Sequence, residues 1–455
     1  MQLLVRLSSI LMLMSVTLGS GSAPYSAPPE RRPERVMLTF SGDPSSEMAV
    51  TWRRPVDADG RSQHGAVAQI IEARPGPDLG RGKERTVDSE TTTVPGIRAR
   101  HTSTTQAAYH YHTAKFTGLT PNTKYAYRVG NGDEWSEWNH FTTALATPTD
   151  GSVPAPFRFL YVGDAQNDIL SLWSRVVRDG ILRAPDARFT LHAGDLIDMG
   201  NDDLEWNEWF EGAGWINRVI PVVATPGNHE YSGFRRGEHR NLSALWIPQF
   251  EYPRNGLPGL EDTNYTFDYQ GLRVISLDSN RRTEEQATWL DEVLTKSTSR
   301  WTVVTFHHPI YSTAAKRDNP KIREAWLPVM DKHKVDLVLQ GHDHTYGRTY
   351  PLREGTIVEQ GKPGGTVYVV SVSGPKMYEI STSTQQLMAR RAEDTQFYQV
   401  VGVEQDQLVY ESYSASGQLY DAFTLRRTPE GNLFEPRQDL PAERLRKAPV
   451  AADGE

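Results

Sequence analysis

The sequence predicts an all-β sandwich followed by a larger α/β domain built on a large sheet. Residues 35–144 contain short β-type runs divided by turn residues, without helical periodicity. From residue 156 onward, apolar runs alternate with helical patterns, which is typical of an α/β domain. The length of 455 residues is enough for two such units with buried cores.

The chain contains no cysteine, which excludes several kinds of chemistry. Disulfides, thiolate metal sites, iron–sulfur clusters and a cysteine nucleophile all require it. Any metal must therefore be held by oxygen atoms and imidazoles. The net charge of -8 also argues against nucleic acid as a main partner, because a phosphate backbone attracts a basic surface.

Residues 1–23 have the layout of a secretory signal peptide. Arg6 precedes an apolar run from Leu7 to Leu18, and small residues follow up to Ala23. This run is too short for a membrane-spanning helix, which needs ~20 apolar residues. We therefore expect an exported protein, periplasmic or extracellular, with no stable membrane anchor. An exported chain without cysteine fits a bacterial envelope better than a eukaryotic secretory route.

The predicted sandwich spans residues 33–144. Its clearest strand-like runs are residues 36–40, 49–52, 109–116 and 124–129. Residues 119–129 and 141–143 resemble the last strands of a fibronectin type III domain. His110 and His112 alternate along one strand and should point the same way, so a site is conceivable. Because no carboxylate accompanies them, we interpret them as a pair on the sheet surface.

After a linker at residues 145–155, the α/β domain spans residues 156–427. The predicted strands are residues 157–162, 189–193, 219–223, 272–277, 301–306, 335–339 and 366–372, and the helices are residues 170–179, 204–210, 283–294 and 322–333. Residues 428–455 are rich in proline and charge without an apolar period, so we expect a disordered tail.

Side chains suited to metal binding follow five of these predicted strands. They are Asp164 and Gln166, then Asp195 and Asp198, then Asn228 and His229, then His307, and finally His342 and His344. In α/β sheets the ligand crevice lies outside the carboxyl ends of the strands, so these loops can converge. A single Gly-Asp pair is an ordinary turn, and the evidence lies in five motifs that each follow a strand. Six oxygen and imidazole groups exceed one tetrahedral site and suit two metals about 3.5–4 Å apart.

The order Gly-Asp, Gly-Asp, Gly-Asn-His, Val304-x-x-His307 and Gly-His-x-His resembles that of the calcineurin-like metallophosphoesterases. With the fibronectin-like domain in front and the motif from Gly341 to Arg348 at the end, the chain is similar to bacterial members of the purple acid phosphatase branch. The similarity covers residues 33–426. It implies a four-layer αββα catalytic domain built on two packed sheets.

The resemblance also implies a role for each motif residue. Asp164 and His344 would bind the first metal, Asn228, His307 and His342 the second, and Asp195 would bridge the two. His229 would stand beside the metals as proton donor or charge stabiliser. Tyr346 and Arg348, in the last motif, are possible substrate contacts. The cofactors would be two divalent or mixed-valence ions of iron, manganese or zinc.

Two positions depart from the family pattern. Purple acid phosphatases have a tyrosine where this chain has Asp198, and other members have a histidine where it has Gln166. Gln166 or Asp198 could supply an oxygen ligand instead, or Asp198 could cap the helix that follows. Without the tyrosine phenolate, we expect a protein that is not purple.

Other charged residues are harder to place. His308 is adjacent to the ligand His307, so on a strand end it should point away from the site. Residues 311–317 offer no further histidine. A basic cluster, Arg235, Arg236, His239 and Arg240, could engage a phosphate, but we favour an ordinary solvated loop.

From these features we expect an exported hydrolase of small phosphate monoesters that uses a hydroxide bridging two metals. The alternative is a phosphodiesterase or nucleotide hydrolase with the same site. A non-catalytic envelope protein that binds through its β-sandwich is a third possibility, and the nearly complete ligand set argues against it.

Overall fold

The computed structural model describes residues 32–56, 65–97, 106–232, 241–381 and 383–446. The predicted signal peptide, the basic cluster at residues 235–240 and the last nine residues lie outside these ranges. None of the helices in the described residues is both long enough and apolar enough to span a bilayer.

The N-terminal region is the predicted β-sandwich, made of two four-stranded antiparallel sheets. The first sheet, in the order β1-β2-β6-β5, contains β1 (Glu34–Thr39), β2 (Met48–Pro55), β5 (Glu90–Val94) and β6 (Tyr109–Phe116). The second, in the order β4-β3-β7-β8, contains β3 (Val67–Glu72), β4 (Arg85–Asp88), β7 (Lys124–Gly130) and β8 (Asn139–Thr142). The rings of Phe116, Tyr127 and Phe141 pack together between the sheets.

The histidine pair on β6 does not lie on the sheet surface, which corrects the expectation. His110 and His112 share a face as predicted, but it is the inward face that also carries Phe116. Their Nδ1 atoms contact the hydroxyl groups of Thr93 and Thr91 at 2.8 and 2.9 Å. Burial lowers the pKa of His112 to about 3, so this ring is neutral.

A seven-stranded mixed sheet begins the α/β domain, in the order β11-β10-β9-β23-β24-β25-β26. Its strands are β9 (Phe157–Val162), β10 (Thr190–His192), β11 (Val222–Ala224), β23 (Phe397–Val403), β24 (Gln407–Ser414), β25 (Leu419–Thr428) and β26 (Gly431–Pro436). Strands β9 to β11 are parallel to one another. A π-helical turn (Ile169–Trp173) leads into α1 (Ser174–Arg183), which packs on β9 and β23, and α2 (Asp203–Ala213) and α3 (Ile216–Val219) follow.

A second seven-stranded sheet has the order β14-β15-β16-β17-β21-β18-β22. Its strands are β14 (Tyr265–Tyr269), β15 (Leu272–Ser276), β16 (Trp301–Thr305), β17 (Leu337–Gln340), β18 (Tyr346–Thr349), β21 (Val367–Val370) and β22 (Met388–Ala392). Helices α4 (Thr283–Thr295) and α5 (Pro320–His333) cover its outer face with an apolar cluster. Short ribbons pair β12 (Tyr231–Ser232) with β13 (Asn241–Leu242) and β19 (Leu352–Arg353) with β20 (Thr356–Ile357), and a 3-10 turn lies at Gln385–Leu387.

The two seven-stranded sheets pack against each other, with helices outside both. Tyr161 on β9 donates a hydrogen bond to the carbonyl of Gln340 on β17, which joins the sheets directly. The predicted fold class, an N-terminal β-sandwich before an α/β domain, is confirmed. The predicted disordered tail is wrong for residues 428–446, because β26 pairs with β25 and Arg446 forms an ion pair with Asp394 at 2.7 Å.

A buried ion cluster joins the sandwich to the α/β domain. Arg35 on β1 and Arg53 on β2 approach one carboxylate oxygen of Asp203, the first residue of α2, at 2.7 and 2.6 Å. Asn207, one turn later, accepts from both guanidinium groups. The three charged side chains are at most 9% exposed, so Arg35 and Asp203 depend on the cluster for compensation of their charge, while Arg53 also pairs with the more exposed Glu34 at 3.0 Å.

We predict that Asp203→Ala destabilises the protein by about 3–5 kcal/mol, because it leaves the buried guanidinium group of Arg35 without a carboxylate and that of Arg53 with the partly exposed Glu34 alone. Denaturant unfolding monitored by tryptophan fluorescence measures this change. Asp439→Ala is the matched control, since Asp439 pairs with Arg437 at the surface, and its unfolding midpoint should equal that of the wild type. Equal midpoints for both variants would show that the cluster does not hold the domains together.

Candidate metal centre

The six predicted metal ligands come together at one edge of the two packed sheets. Each lies in a loop just after β9, β10, β11, β16 or β17. Their side chains form two adjacent groups, which we call the first and second subsites. The first contains Asp164, Asp195 and His344, and the second contains Asn228, His307 and His342 with Asp195 shared between them.

In the second subsite, ligand atoms from four loops face one another. The Nε2 atom of His307 lies 3.2 Å from Oδ1 of Asn228, 3.1 Å from Nδ1 of His342 and 3.0 Å from Oδ2 of Asp195. In the first subsite, Nε2 of His344 lies 3.7 Å from Oδ1 of Asp164. The Asp195 carboxylate thus stands between the two subsites, where a bridging ligand is required.

Backbone carbonyls fix the orientation of two imidazoles. Nδ1 of His307 lies 2.9 Å from the carbonyl of Ala193, and Nδ1 of His344 lies 3.1 Å from the carbonyl of Lys376. Because a carbonyl only accepts, each Nδ1 carries a proton, which leaves each Nε2 facing the subsite. This is the usual second-shell arrangement of metal-binding histidines.

The electrostatics of the cluster favour a bound cation. Burial raises the pKa of the Asp164 carboxyl well above its usual range, and nearby Asp195 adds to the effect. Burial also opposes ionisation of Asp195, but the charges of His307 and His229 hold its pKa well below its usual range. Burial would lower the pKa of His307, yet Asp195 and Asp164 raise it to about 9. The buried carboxylates of Asp164 and Asp195 therefore favour a positive charge between them. The set of oxygen and imidazole donors suits a divalent transition metal.

The backbone at these ligands is held in an uncommon conformation. Asp164, Asp195, His342 and His344 all have positive φ angles, from 50° to 77°. A non-glycine residue adopts this left-handed region only when its surroundings enforce it, which is common at functional sites. Close packing of the loops adds a second constraint, because a Cβ atom on Gly227 would collide with Asp195.

Glu230, which the sequence analysis did not assign, braces the centre. Its side chain is fully buried and accepts from the backbone N–H groups of Asp195, Leu196 and Gly227 at 3.0, 2.8 and 2.6 Å. One carboxylate thereby ties the loop after β10 to the loop after β11. The sequence feature that could have identified Glu230 is its position in the Gly-Asn-His-Glu motif, next to His229.

Neither Gln166 nor Asp198 supplies the missing oxygen ligand. Oε1 of Gln166 accepts from the ammonium group of Lys376 at 3.1 Å, so its amide nitrogen faces the subsite. Asp198 instead lies against His229, whose Nδ1 is 2.6 Å from the Asp198 carbonyl and 3.3 Å from its carboxylate. Asp198 does not cap the following helix either, since Asp202 accepts from the amide of Leu204 there.

The structure removes Tyr346 and Arg348 from the site. Tyr346 and Arg348 are two residues apart on β18, so both side chains lie on the same face of the strand. They point between the two sheets, where they are at most 3% exposed. Arg348 forms a two-point ion pair with Asp421 on β25, at 2.6 and 2.9 Å, and Tyr346 donates to the same carboxylate at 2.7 Å. Their role in the described structure is to join the sheets.

Other side chains at the rim were misplaced or missed. His308 does not point away from the centre. Strand β16 ends at Thr305, and in the loop that follows the centroids of the His308 and His342 rings lie 4.3 Å apart. Arg317 donates to the carbonyl of His342 at 2.7 Å. Arg317 and Lys376 both lie near the ring of Tyr378, which itself packs on His344. No sequence motif marks Arg317, Lys376 or Tyr378.

Two family models match the chain. Residues 157–346 match the calcineurin-like phosphoesterase family, and residues 33–143 match the purple acid phosphatase N-terminal domain. The chain is similar to purple acid phosphatase 21 of Arabidopsis thaliana, at 30% identity over 279 residues, which is 58% of each chain. It is also similar to probable inactive purple acid phosphatase 24 of the same plant, at 24% identity over 84% of this chain and 67% of that protein.

A purple acid phosphatase from yellow lupin seeds has a similar fold, with a TM-score of 0.73 at 20% identity. The match covers 88% of this chain and 75% of the lupin protein. The chain spans 58–62% of the length of the first curated relatives that it matches.

We predict that Glu230→Gln weakens metal retention about 10–100-fold, as expected for loss of a residue that positions ligands. The glutamine amide cannot accept from all three backbone N–H groups, so the loops after β10 and β11 should separate. Metal content after dialysis measures the loss, and far-ultraviolet circular dichroism checks that the variant is folded. A folded variant with wild-type metal content would contradict the bracing role.

Proposed function

Because the chain carries a calcineurin-like phosphoesterase domain behind a purple acid phosphatase N-terminal domain, we propose that it hydrolyses phosphate esters at the candidate metal centre. The convergence of six oxygen and imidazole ligands into two subsites that share Asp195 carries this proposal. These six ligands are those expected for two metals rather than one.

The ligand set provides for the chemistry. A metal pair held by these residues would supply positive charge to the phosphoryl oxygens and lower the pKa of the attacking water. Asp195 keeps its carboxylate ionised between the subsites, and Glu230 holds that carboxylate in place through the backbone. The buried carbonyl contacts of His307 and His344 keep their Nε2 atoms directed inward.

His229 is positioned to supply the proton for the leaving group. Its Nδ1–H donates to the carbonyl of Asp198, with the Asp198 carboxylate at 3.3 Å, which leaves Nε2 on the side of Asp195 at 3.9 Å from the carboxylate. Its side chain is 14% exposed, so a substrate can reach it. An imidazole in this position can act as general acid toward the leaving group.

The substrate class that we propose is the phosphate monoester. A monoester dianion carries more negative charge than a diester, and the rim of the first subsite offers two cations, Arg317 and Lys376. Arg317 is 28% exposed and is held by the carbonyl of His342, so part of its guanidinium group is available to a phosphate oxygen.

We also propose that the protein is exported, on the basis of the signal-peptide layout of residues 1–23. This rests on the sequence, and the N-terminus lies outside the described residues. The intact mass of the mature protein from the producing cell checks it, since retention of residues 1–23 would contradict cleavage.

The test of the proposed function is hydrolysis of paired aryl phosphate substrates, one monoester and one diester, by protein loaded with Mn²⁺, Zn²⁺ or Fe²⁺. We expect monoester turnover that chelation abolishes and metal restores, with slower diester turnover. Faster diester turnover would favour the phosphodiesterase alternative. No turnover of either ester by the metal-loaded protein would contradict an enzymatic function.

We predict that His229→Ala lowers kcat on an alkyl phosphate by about 10²–10⁴-fold, as expected for loss of a general acid. Asp198→Ala should lower kcat less, because the backbone carbonyl of residue 198 still orients His229. Both variants should lose less on an aryl phosphate, whose leaving group needs no proton. Metal content is the control: a loss of metal in Asp198→Ala would assign Asp198 to a metal rather than to His229.

A further inference from the structure

The side chain of Gln166 is fully buried beside the first subsite and contacts three groups there. Its Oε1 accepts from the ammonium group of Lys376 at 3.1 Å. Its Nε2 lies 2.9 Å from Oδ2 of Asp195 and 3.5 Å from Nε2 of His344. The amide therefore lies between a lysine on one side and two ligand atoms of the first subsite on the other.

The chemistry of the partners fixes the orientation of this amide. An ammonium group can only donate, so the amide atom that faces Lys376 must be the oxygen. An ionised carboxylate can only accept, so the atom that faces Asp195 must be the NH₂ group. Both contacts require the same orientation of the Gln166 amide. Rotating the amide by 180° would place its NH₂ group against the Lys376 ammonium group and its oxygen against the Asp195 carboxylate.

This orientation directs hydrogen-bond donors at the position where a metal would bind. The two N–H groups of Gln166 face Asp195 and the inward lone pair of His344, which are two of the three ligands of the first subsite. A metal there must displace these contacts, and Gln166 cannot turn its oxygen inward without losing Lys376. The Lys376 charge also repels a cation bound nearby.

The second subsite meets Gln166 only through the shared Oδ2 atom of Asp195, and in the described residues no hydrogen bond joins Asn228, His307 or His342 to Gln166 or Lys376. Four ligand atoms from Asn228, His307, His342 and Asp195 surround it, one more than the first subsite has. The ligand number and the local charge both favour metal binding at the second subsite over the first.

We infer that the chain binds its two metals unequally, tightly at the second subsite and weakly, as an exchangeable divalent ion, at the first. Lys376 sets this difference through Gln166. The inference rests on the proposed metal centre. It adds that the metal at the first subsite is lost during purification and must be added back for turnover, whereas the metal at the second subsite stays bound.

The test is metal binding by the full-length protein, with Mn²⁺ alone as the probe. Metal-free protein is titrated while free Mn²⁺ is followed by electron paramagnetic resonance, and metal content is measured again after gel filtration. For the wild type we expect two sites that differ at least ~10-fold in affinity, and about one Mn²⁺ per chain after gel filtration.

Two variants assign the weak site. Gln166→His replaces the amide with an imidazole ligand, and Lys376→Met removes the charge and releases Gln166. Each should tighten the weak site about 10-fold and retain close to two Mn²⁺ per chain. The matched control is Lys362→Met at an exposed lysine, which should bind as the wild type does. Thermal unfolding checks that all variants are folded.

The outcomes separate this inference from the proposed function. Wild-type protein that binds two Mn²⁺ with equal affinity would overturn the inference and leave the proposed function standing. A weak site that is unchanged in Gln166→His or in Lys376→Met would overturn the assignment to these residues. Protein that binds no Mn²⁺ at any concentration would overturn the proposed metal centre and the inference with it.

Discussion

The buried carboxylate of Glu230 accepts three backbone hydrogen bonds, and the arrangement of the metal centre depends on them. These bonds join the loop that carries Asp195 to the loop that carries Asn228 and His229. One side chain thereby holds the backbone at Asp195 and at Gly227, the residue before Asn228. Satisfying buried N–H groups with a single carboxylate also makes the loops rigid, because each unsatisfied amide would cost ~1–3 kcal/mol.

The β-sandwich supports the same region from the other side. Arg35 and Arg53 hold the start of α2 through Asp203. Glu205, in the first turn of α2, in turn accepts from the backbone amides of Asp198 and Met199 at 2.7 Å. A continuous series of buried polar contacts therefore runs from the N-terminal domain to the carbonyl that orients His229. This gives the sandwich a structural relation to the centre, although none of its described residues lies there.

Two positions of the centre depart from the pattern that the family resemblance implied, and their side chains turn to other partners. Asp198 stands where purple acid phosphatases have a phenolate, but it turns to His229. Gln166 stands where other members have an imidazole, but it turns its oxygen to Lys376. The ammonium group of Lys376 determines where the Gln166 oxygen goes, whereas the Asp198 carboxylate lies beside an imidazole whose N–H donates to the Asp198 carbonyl. The first subsite consequently keeps three protein ligands.

The sequence by itself determined the two-part fold and the residues of the centre, because strand periodicity and glycine-flanked ligand motifs are local features of the chain. It did not indicate β26, a short segment without a clear apolar period that forms a strand by pairing with β25. It also misplaced Tyr346, Arg348 and His308, and it left Gln166 and Asp198 unresolved. Those outcomes depend on partners distant in sequence, such as Asp421, His342 and Lys376. Only the packing of the two sheets and their loops brings such partners together, so only the tertiary structure could decide them.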